Sequence, residues 1–310
     1  MSNKAFLFPG QGSQFVGMLA ELAKSYPTIQ KTFTQASKIL GYDLWKLSQQ
    51  GPEEKLNQTE FTQPALLTAG VAIWRVWQES TEQVPIFFAG HSLGEYTALV
   101  CANSITFEDA VSIVADRGRF MQEAVPEGKG AMAAVIGLDD NVVTQLCLDV
   151  AQGKILAPAN YNSLGQVVVA GETVAVEKFI IAAKEAGAKI AKLIPVSVPS
   201  HCKLMQGAAL KLANRLVSVK IKAPTISVIN NVDVADYSDP KQIKDALVRQ
   251  LFNPVRWVEI IQKLVAEGVE QFIECGPGKV LAGLNRRIVK DVLTLSICTP
   301  QTLQSVLVED

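Results

Sequence analysis

The sequence predicts an α/β protein in which a mostly parallel sheet is interrupted by a small domain with its own strand order. Three observations predict it. Apolar runs of strand length alternate with amphipathic helical stretches on both sides of the middle of the chain, the pattern of parallel β–α–β layering. A strand, a tight turn and a helix meet at Gly90-His91-Ser92-Leu93-Gly94. Residues 130–197 change texture to a β-α-β-β-α-β order, the ferredoxin-like unit, bounded near Pro126-Glu127-Gly128 and Pro199.

In chain order, Lys4-Ala5-Phe6-Leu7-Phe8 reads as a strand that ends at the turn Pro9-Gly10-Gln11-Gly12-Ser13-Gln14. Helical patterns follow at 15–25, 28–40 and 61–79. Pro64 stands near the start of the last, where proline is tolerated. The apolar run Val84-Pro85-Ile86-Phe87-Phe88-Ala89 leads through the elbow into the helical Glu95-Tyr96-Thr97-Ala98-Leu99-Val100. A helix at 107–124 carries Arg117 and Arg119. Within the insert, strands are expected at 130–138, 155–161, 166–170 and 188–197, and helices at 139–151 and 173–187. Asn162-Ser163-Leu164-Gly165 reads as a turn. The larger domain then resumes with helices at 202–217, 239–251 and 254–267 and strands at 225–230, 270–274 and 293–298. Gly276-Pro277-Gly278-Lys279 reads as a turn before a helix. The expected division is 1–126 with 199–310 for the larger domain and 127–198 for the insert.

Composition narrows the function. The 310 residues include 29 basic and 30 acidic side chains, so the overall balance carries no nucleic-acid footprint. No apolar run approaches the ~18 residues of a membrane helix. The start of the chain offers only Phe6-Leu7-Phe8 as an apolar patch, which is no signal-peptide core, and a cytoplasmic location is expected. The five cysteines are scattered and read as reduced thiols. With only two histidines and no paired cysteines, no metal site is expected.

The elbow is where chemistry is expected. Flanking glycines let the backbone turn sharply, so that the Ser92 hydroxyl stands at the top of a sheet. A serine needs a base to take its proton, and the only histidines are His91 and His201. His91 is adjacent to Ser92, so the two side chains diverge, which leaves His201 in Val198-Pro199-Ser200-His201-Cys202. Asp109, Asp116 and Asp139 lie between serine and histidine, but none stands out as an orienting acid, and a backbone carbonyl could serve instead. The amide of Leu93 opens the following helix and can stabilise an oxyanion. The turn Gly10-Gln11-Gly12 could supply a second amide. Arg117 and Arg119 are open to two readings, a solvated helix face or a buried fork that pairs with a carboxylate.

Taken together, these residues closely resemble the bacterial malonyl-CoA:acyl carrier protein transacylases of fatty-acid synthesis. The resemblance covers nearly the whole chain. It rests on Phe8-Pro9-Gly10-Gln11-Gly12-Ser13-Gln14, Thr62-Gln63-Pro64-Ala65-Leu66 and Gly90-His91-Ser92-Leu93-Gly94-Glu95-Tyr96. It continues through Gly130-Ala131-Met132-Ala133-Ala134-Val135, Val196-Ser197-Val198-Pro199-Ser200-His201-Cys202, Asn253-Pro254-Val255 and Glu274-Cys275-Gly276-Pro277-Gly278-Lys279-Val280-Leu281. It implies an α/β-hydrolase-like catalytic domain with a ferredoxin-like insert. It implies that Ser92 takes the malonyl group from coenzyme A and that His201 is the base, oriented by the backbone carbonyl of Gln250. It further implies an oxyanion hole from the amides of Gln11 and Leu93, and Arg117 as the grip on the free malonyl carboxylate. His91, Gln63, Asn160 and Asn162 are expected to line or support the pocket. No cofactor is implied, because coenzyme A is a substrate carrier. The second partner is an acidic acyl carrier protein bearing phosphopantetheine, for which Arg286, Arg287 and Lys290, or Lys189 and Lys192, are candidate basic faces. Two other functions suit the same residues: a serine thioesterase or esterase on this elbow, or a non-catalytic module that only holds a carrier protein.

Overall fold

The computed structural model describes residues 3–196 and 198–308. Ser197 of the expected strand 188–197, and residues 1–2 and 309–310 of the expected larger domain, lie outside the described residues. The larger sheet consists of β1 (Lys4–Phe8), β2 (Phe87–Gly90), β7 (Ser227–Ile229), β8 (Gln271–Cys275) and β9 (Leu293–Ile297), numbered along the whole chain. Its order is β7-β2-β1-β8-β9, and every pairing is parallel. The smaller sheet contains β3 (Gly130–Ile136), β4 (Leu156–Ser163), β5 (Gln166–Glu172) and β6 (Ile190–Leu193). Its order is β4-β5-β3-β6, and every pairing is antiparallel. Helices Asp140–Ala151 and Thr173–Glu185 complete the β-α-β-β-α-β unit. The protein is therefore a mixed α/β fold with a parallel sheet and a separate antiparallel one.

Both faces of a parallel sheet must be covered, and the helices do this here. Thr59–Ser80 is buried along most of its length. Its Trp74 and Trp77 pack edge-on against Phe6 of β1 at centroid distances of 5.4 and 5.0 Å, and Trp74 reaches Phe88 of β2 at 5.1 Å. On the other face Ala5, Leu7, Ala89 and Phe272 pack with Trp257, Ile260, Ile261 and Leu264. The two sheets are joined through the backbone. Tyr161 N–H donates to the Val255 carbonyl (3.0 Å) and Val255 N–H donates to the Ala159 carbonyl (2.9 Å). A strand of the insert is thus stitched directly to the larger domain.

Several expectations need correction. The helix expected at 15–25 forms only over Ala20–Ser25, because Gly17 and Leu19 adopt left-handed backbone (φ 93° and 62°). Pro64 lies inside its helix rather than near the start, because that helix begins at Thr59. The turn expected at 162–165 is shorter. β4 runs through Ser163 with irregularities at Pro158/Asn160 and Tyr161/Ser163, so Asn162 is a strand residue. Leu44–Gln50, Glu53–Leu56 and Pro300–Val308 are helices that were not anticipated.

The elbow tolerates no side chain at its glycines. A Cβ on Gly90 would fall 1.8 Å from the Gly94 carbonyl carbon, and one on Gly94 would fall 2.0 Å from the Phe8 carbonyl oxygen. Backbone meets backbone there, so neither clash can be relieved by a rotamer change. Gly90→Ala should therefore destabilise the protein by about 3 kcal/mol or more, seen as a lower midpoint in urea unfolding. An unchanged midpoint would show that the elbow is less tightly packed than described.

Candidate active site

The site lies beyond the carboxyl ends of β1, β2 and β7, where open parallel sheets place their ligands. β2 delivers Ser92, β1 delivers the loop at Gln11, and β7 delivers Asn231. Ser92 sits in left-handed backbone (φ 52°), a conformation that costs about 1–3 kcal/mol and persists only where neighbours enforce it. They do so here. Ser92 N–H donates to Asn231 Oδ1 (2.7 Å), and Asn231 Nδ2 donates to the Gly90 carbonyl (2.7 Å). One side-chain amide thereby clamps both sides of the bend.

Ser92 Oγ lies 2.8 Å from His201 Nε2. His201 Nδ1 lies 2.7 Å from the Gln250 carbonyl. A carbonyl only accepts, so Nδ1 carries the proton and Nε2 is left free to accept from the serine. Gln250 is the last residue of the helix Pro240–Gln250. Its carbonyl belongs to the final turn, which lacks partners within the helix and sits at the negative end of its dipole. His201 is itself left-handed (φ 63°), and its N–H donates to the Leu251 carbonyl (3.0 Å), so both imidazole and backbone are fixed to that helix end. Burial, and next the charge of Arg117, push the imidazole down to about 3.

The N–H groups of Gln11 and Leu93 have no protein acceptor among the described residues. Leu93 precedes the helix Gly94–Cys101, whose positive end favours negative charge. The Gln11 side chain is anchored by Thr59 Oγ1 (3.2 Å) and Gln63 Nε2 (3.4 Å).

Arg117 is completely buried, whereas Arg119 is exposed and pairs with Asp116 and Glu123. Arg117 Nη1 donates to Gln63 Oε1 (2.8 Å), and Nη2 donates to Gln250 Oε1 (3.0 Å) and to Ser92 Oγ (3.3 Å). Its Nε is buried without a hydrogen-bond partner. No ion pair to Arg117 occurs among the described residues. His91 points away from the nucleophile. Its Nε2 meets Asn162 Oδ1 at 2.8 Å, across the junction with the insert, and burial lowers its pKa. Asn160 is buried on the same strand and bridges to Val255, but its side chain makes no hydrogen bond to the site among the described residues. A separate surface depression of about 460 Å³, lined by Trp74, Arg75, Cys101 and Phe107, does not include Ser92.

Sequence reasoning missed the supports beneath the nucleophile. Asn231 gave one faint signal, a polar Asn230-Asn231 pair directly after an apolar strand. Glu95 was visible only as an acid in a helix's first turn. It is buried (2% exposed), and its Oε2 accepts from Asn231 N–H (3.0 Å) and Gln250 Nε2 (2.7 Å).

A serine on a strained elbow, an imidazole held neutral beside it and two unpaired amides form a site for acyl transfer through an ester. The family model for the acyl transferase domain matches residues 5–300. Over its full length the chain is 56% identical to the full length of the malonyl CoA-acyl carrier protein transacylase of Salmonella typhimurium. It is 45% identical to the Bacillus subtilis protein of that name, covering 98% of this chain and 96% of that one. Among solved structures, it matches an acyl carrier protein S-malonyltransferase from Vibrio cholerae with a TM-score of 0.97 at 56% identity, over 98% of this chain and 100% of that one. A malonyl-transacylase solved in complex with its type II PKS acyl-carrier protein matches with a TM-score of 0.99 at 53% identity, over the whole of both chains. The chain belongs to the acyltransferase family, within its malonyl CoA-acyl carrier protein transacylase branch.

Because burial holds His201 neutral, acid must force a charge onto it. Its contribution to stability is complete above pH 6.5, the ordinary value, and is lost progressively as pH falls from there toward 3. Between pH 6.5 and 5 the wild type should lose about 2 kcal/mol more than His201→Gln in urea unfolding. Parallel losses in the two proteins would show that the imidazole charges freely.

Proposed function

We propose that the protein transfers a malonyl group from coenzyme A to the phosphopantetheine thiol of an acyl carrier protein, through a malonyl ester on Ser92. Arg117 carries this reading. A buried guanidinium 3.3 Å from the nucleophile oxygen, with no ion pair among the described residues, suits an acyl group that ends in a carboxylate. One methylene separates that carboxylate from the thioester carbonyl of malonyl-CoA. The activity named for the relatives supports the same reading.

In the proposed reaction Ser92 Oγ attacks the thioester carbonyl while its proton passes to His201 Nε2. The Gln250 carbonyl and the helix end behind it stabilise the imidazolium. The N–H groups of Gln11 and Leu93 take the charge on the tetrahedral oxygen, a kind of interaction worth about 2.7–4 kcal/mol per donor in measured cases. Collapse expels the coenzyme A sulfur, which takes the proton from His201. The carrier's thiol then attacks the ester by the same steps in reverse, and Ser92 recovers its proton. The scheme draws on protein groups alone, and coenzyme A enters as substrate. Gln63 supports both Gln11 and Arg117, and the His91–Asn162 bond holds the insert against the elbow.

Arg286, Arg287, Lys290, Lys189 and Lys192 are all exposed and offer basic faces to an acidic carrier. No helix among the described residues is long and apolar enough to cross a membrane. The five cysteines are unpaired, as suits the reducing cytoplasm. Arg117→Ala should lower kcat/KM for malonyl-CoA by about 100-fold or more, as expected for loss of charged hydrogen bonds, and that for acetyl-CoA by about tenfold or less. Equal losses for the two thioesters, measured in steady-state transfer, would contradict the carboxylate grip.

A further inference from the structure

The buried cation Arg117 has a buried carboxyl group close by, but not in contact. Gln250 stands between them. Its Oε1 accepts from Arg117 Nη2 (3.0 Å), and its Nε2 donates to Glu95 Oε2 (2.7 Å). Arginine can only donate, so the amide's orientation is set, with its nitrogen facing the carboxyl group. The same nitrogen also reaches the Ser92 carbonyl (3.0 Å) and Asn231 Oδ1 (3.3 Å). Glu95 is thus bonded to the two residues that fix the elbow and orient His201, and it is linked to Arg117 through one polarisable amide.

We propose that Glu95 is a positioning and specificity-determining residue: it is the standing counter-ion of Arg117 in the empty site, acting across the Gln250 amide, and the acyl group's carboxylate takes over that role on binding. This rests on the carboxylate grip described above. An ionised Glu95 lowers the cost of burying Arg117 but competes electrostatically with the incoming carboxylate. A protonated Glu95 leaves the guanidinium uncompensated and ready for it. Binding of a carboxylate-bearing acyl group therefore draws a proton onto Glu95. The other ionisable groups facing Glu95 are Tyr96 on its own helix, Arg117 on Phe107–Ala124, and Asp233 after β7, which is itself paired with Arg249. Tyr96 is held far above its ordinary value by burial and stays neutral. Burial also pushes Glu95 up to about 7, against its hydrogen bonds and Arg117, so the exchange falls within an accessible pH range.

The test is the ratio of KM for malonyl-CoA to KM for acetyl-CoA from pH 6 to pH 8. Ionisations of the shared coenzyme A moiety cancel in this ratio. In the wild type it should rise about fivefold with pH as Glu95 ionises, the size of effect that one partly screened charge exerts. In Glu95→Gln, which keeps the acceptor for Asn231 and Gln250 but not the charge, it should stay at the low value throughout. A flat ratio in the wild type overturns the proposal without any variant, and so does an undiminished rise in Glu95→Gln. Arg117→Ala separates the two readings. If that substitution abolishes the preference for malonyl while Glu95→Gln follows the wild type, only the role of Glu95 fails. If it leaves the preference intact, the carboxylate grip itself is wrong.

Discussion

Gln250 carries two jobs that the rest of the site depends on. As the final residue of a helix it has a carbonyl with no partner within that helix, and this oxygen holds His201 Nδ1 at 2.7 Å. As a side chain it lies between Arg117 and Glu95 and also contacts the Ser92 backbone. An orienting carboxylate beside the imidazole would place a full negative charge next to the site proposed to receive a malonyl carboxylate. A helix-end carbonyl supplies the hydrogen bond and a partial dipole without that charge.

The fold serves this arrangement by bringing three strand ends together. β1 and β2 pair from Ala5↔Phe87 to Phe8↔Gly90, so their two loops start level with each other. Gly94 packs on the Phe8 carbonyl, and the missing side chains at the elbow make that approach possible. The antiparallel sheet adds Asn162 from the side, held in place through the backbone bonds around Val255. Within the site the hydrogen bonds form a continuous chain of polar side chains from Gln11 through Gln63, Arg117 and Gln250 to Glu95. Such a chain positions charged groups with little freedom, and each buried polar atom in it depends on its neighbour.

Much of the fold was legible in the sequence for simple reasons. Long apolar periods mark the strands and the larger helices, and a serine between glycines after an apolar run marks the elbow. The pairing of Ser92 with His201 followed from the scarcity of histidine rather than from any local pattern. The short helices Leu44–Gln50 and Glu53–Leu56 span too few turns to show a period, and Pro300–Val308 at the end of the chain was missed as well. Asn162 reads as a turn residue because Asn, Ser and Gly favour turns, whereas β4 continues through it to Ser163 with an irregularity in its pairing. The choice between a solvated and a buried Arg117 depends on which face of the helix meets the core, a tertiary fact. Gln250 had no signal of its own, since a glutamine at the end of a charged helix reads as surface, and only the family resemblance pointed to its carbonyl. The contacts by which Asn231 clamps the elbow and Glu95 meets Asn231 and Gln250 are more than a hundred residues apart along the chain, which no local spacing encodes.

The central claim is that Ser92 carries the acyl group between two thiols. The direct measurement is peptide-level mass spectrometry after brief mixing with malonyl-CoA, followed by a chase with phosphopantetheinylated carrier protein. The account predicts a malonyl ester on the peptide containing Ser92, discharged onto the carrier's thiol much faster than into water, and absent from Ser92→Ala. An ester that forms elsewhere, or one released to water at the same rate with and without the carrier, would contradict it.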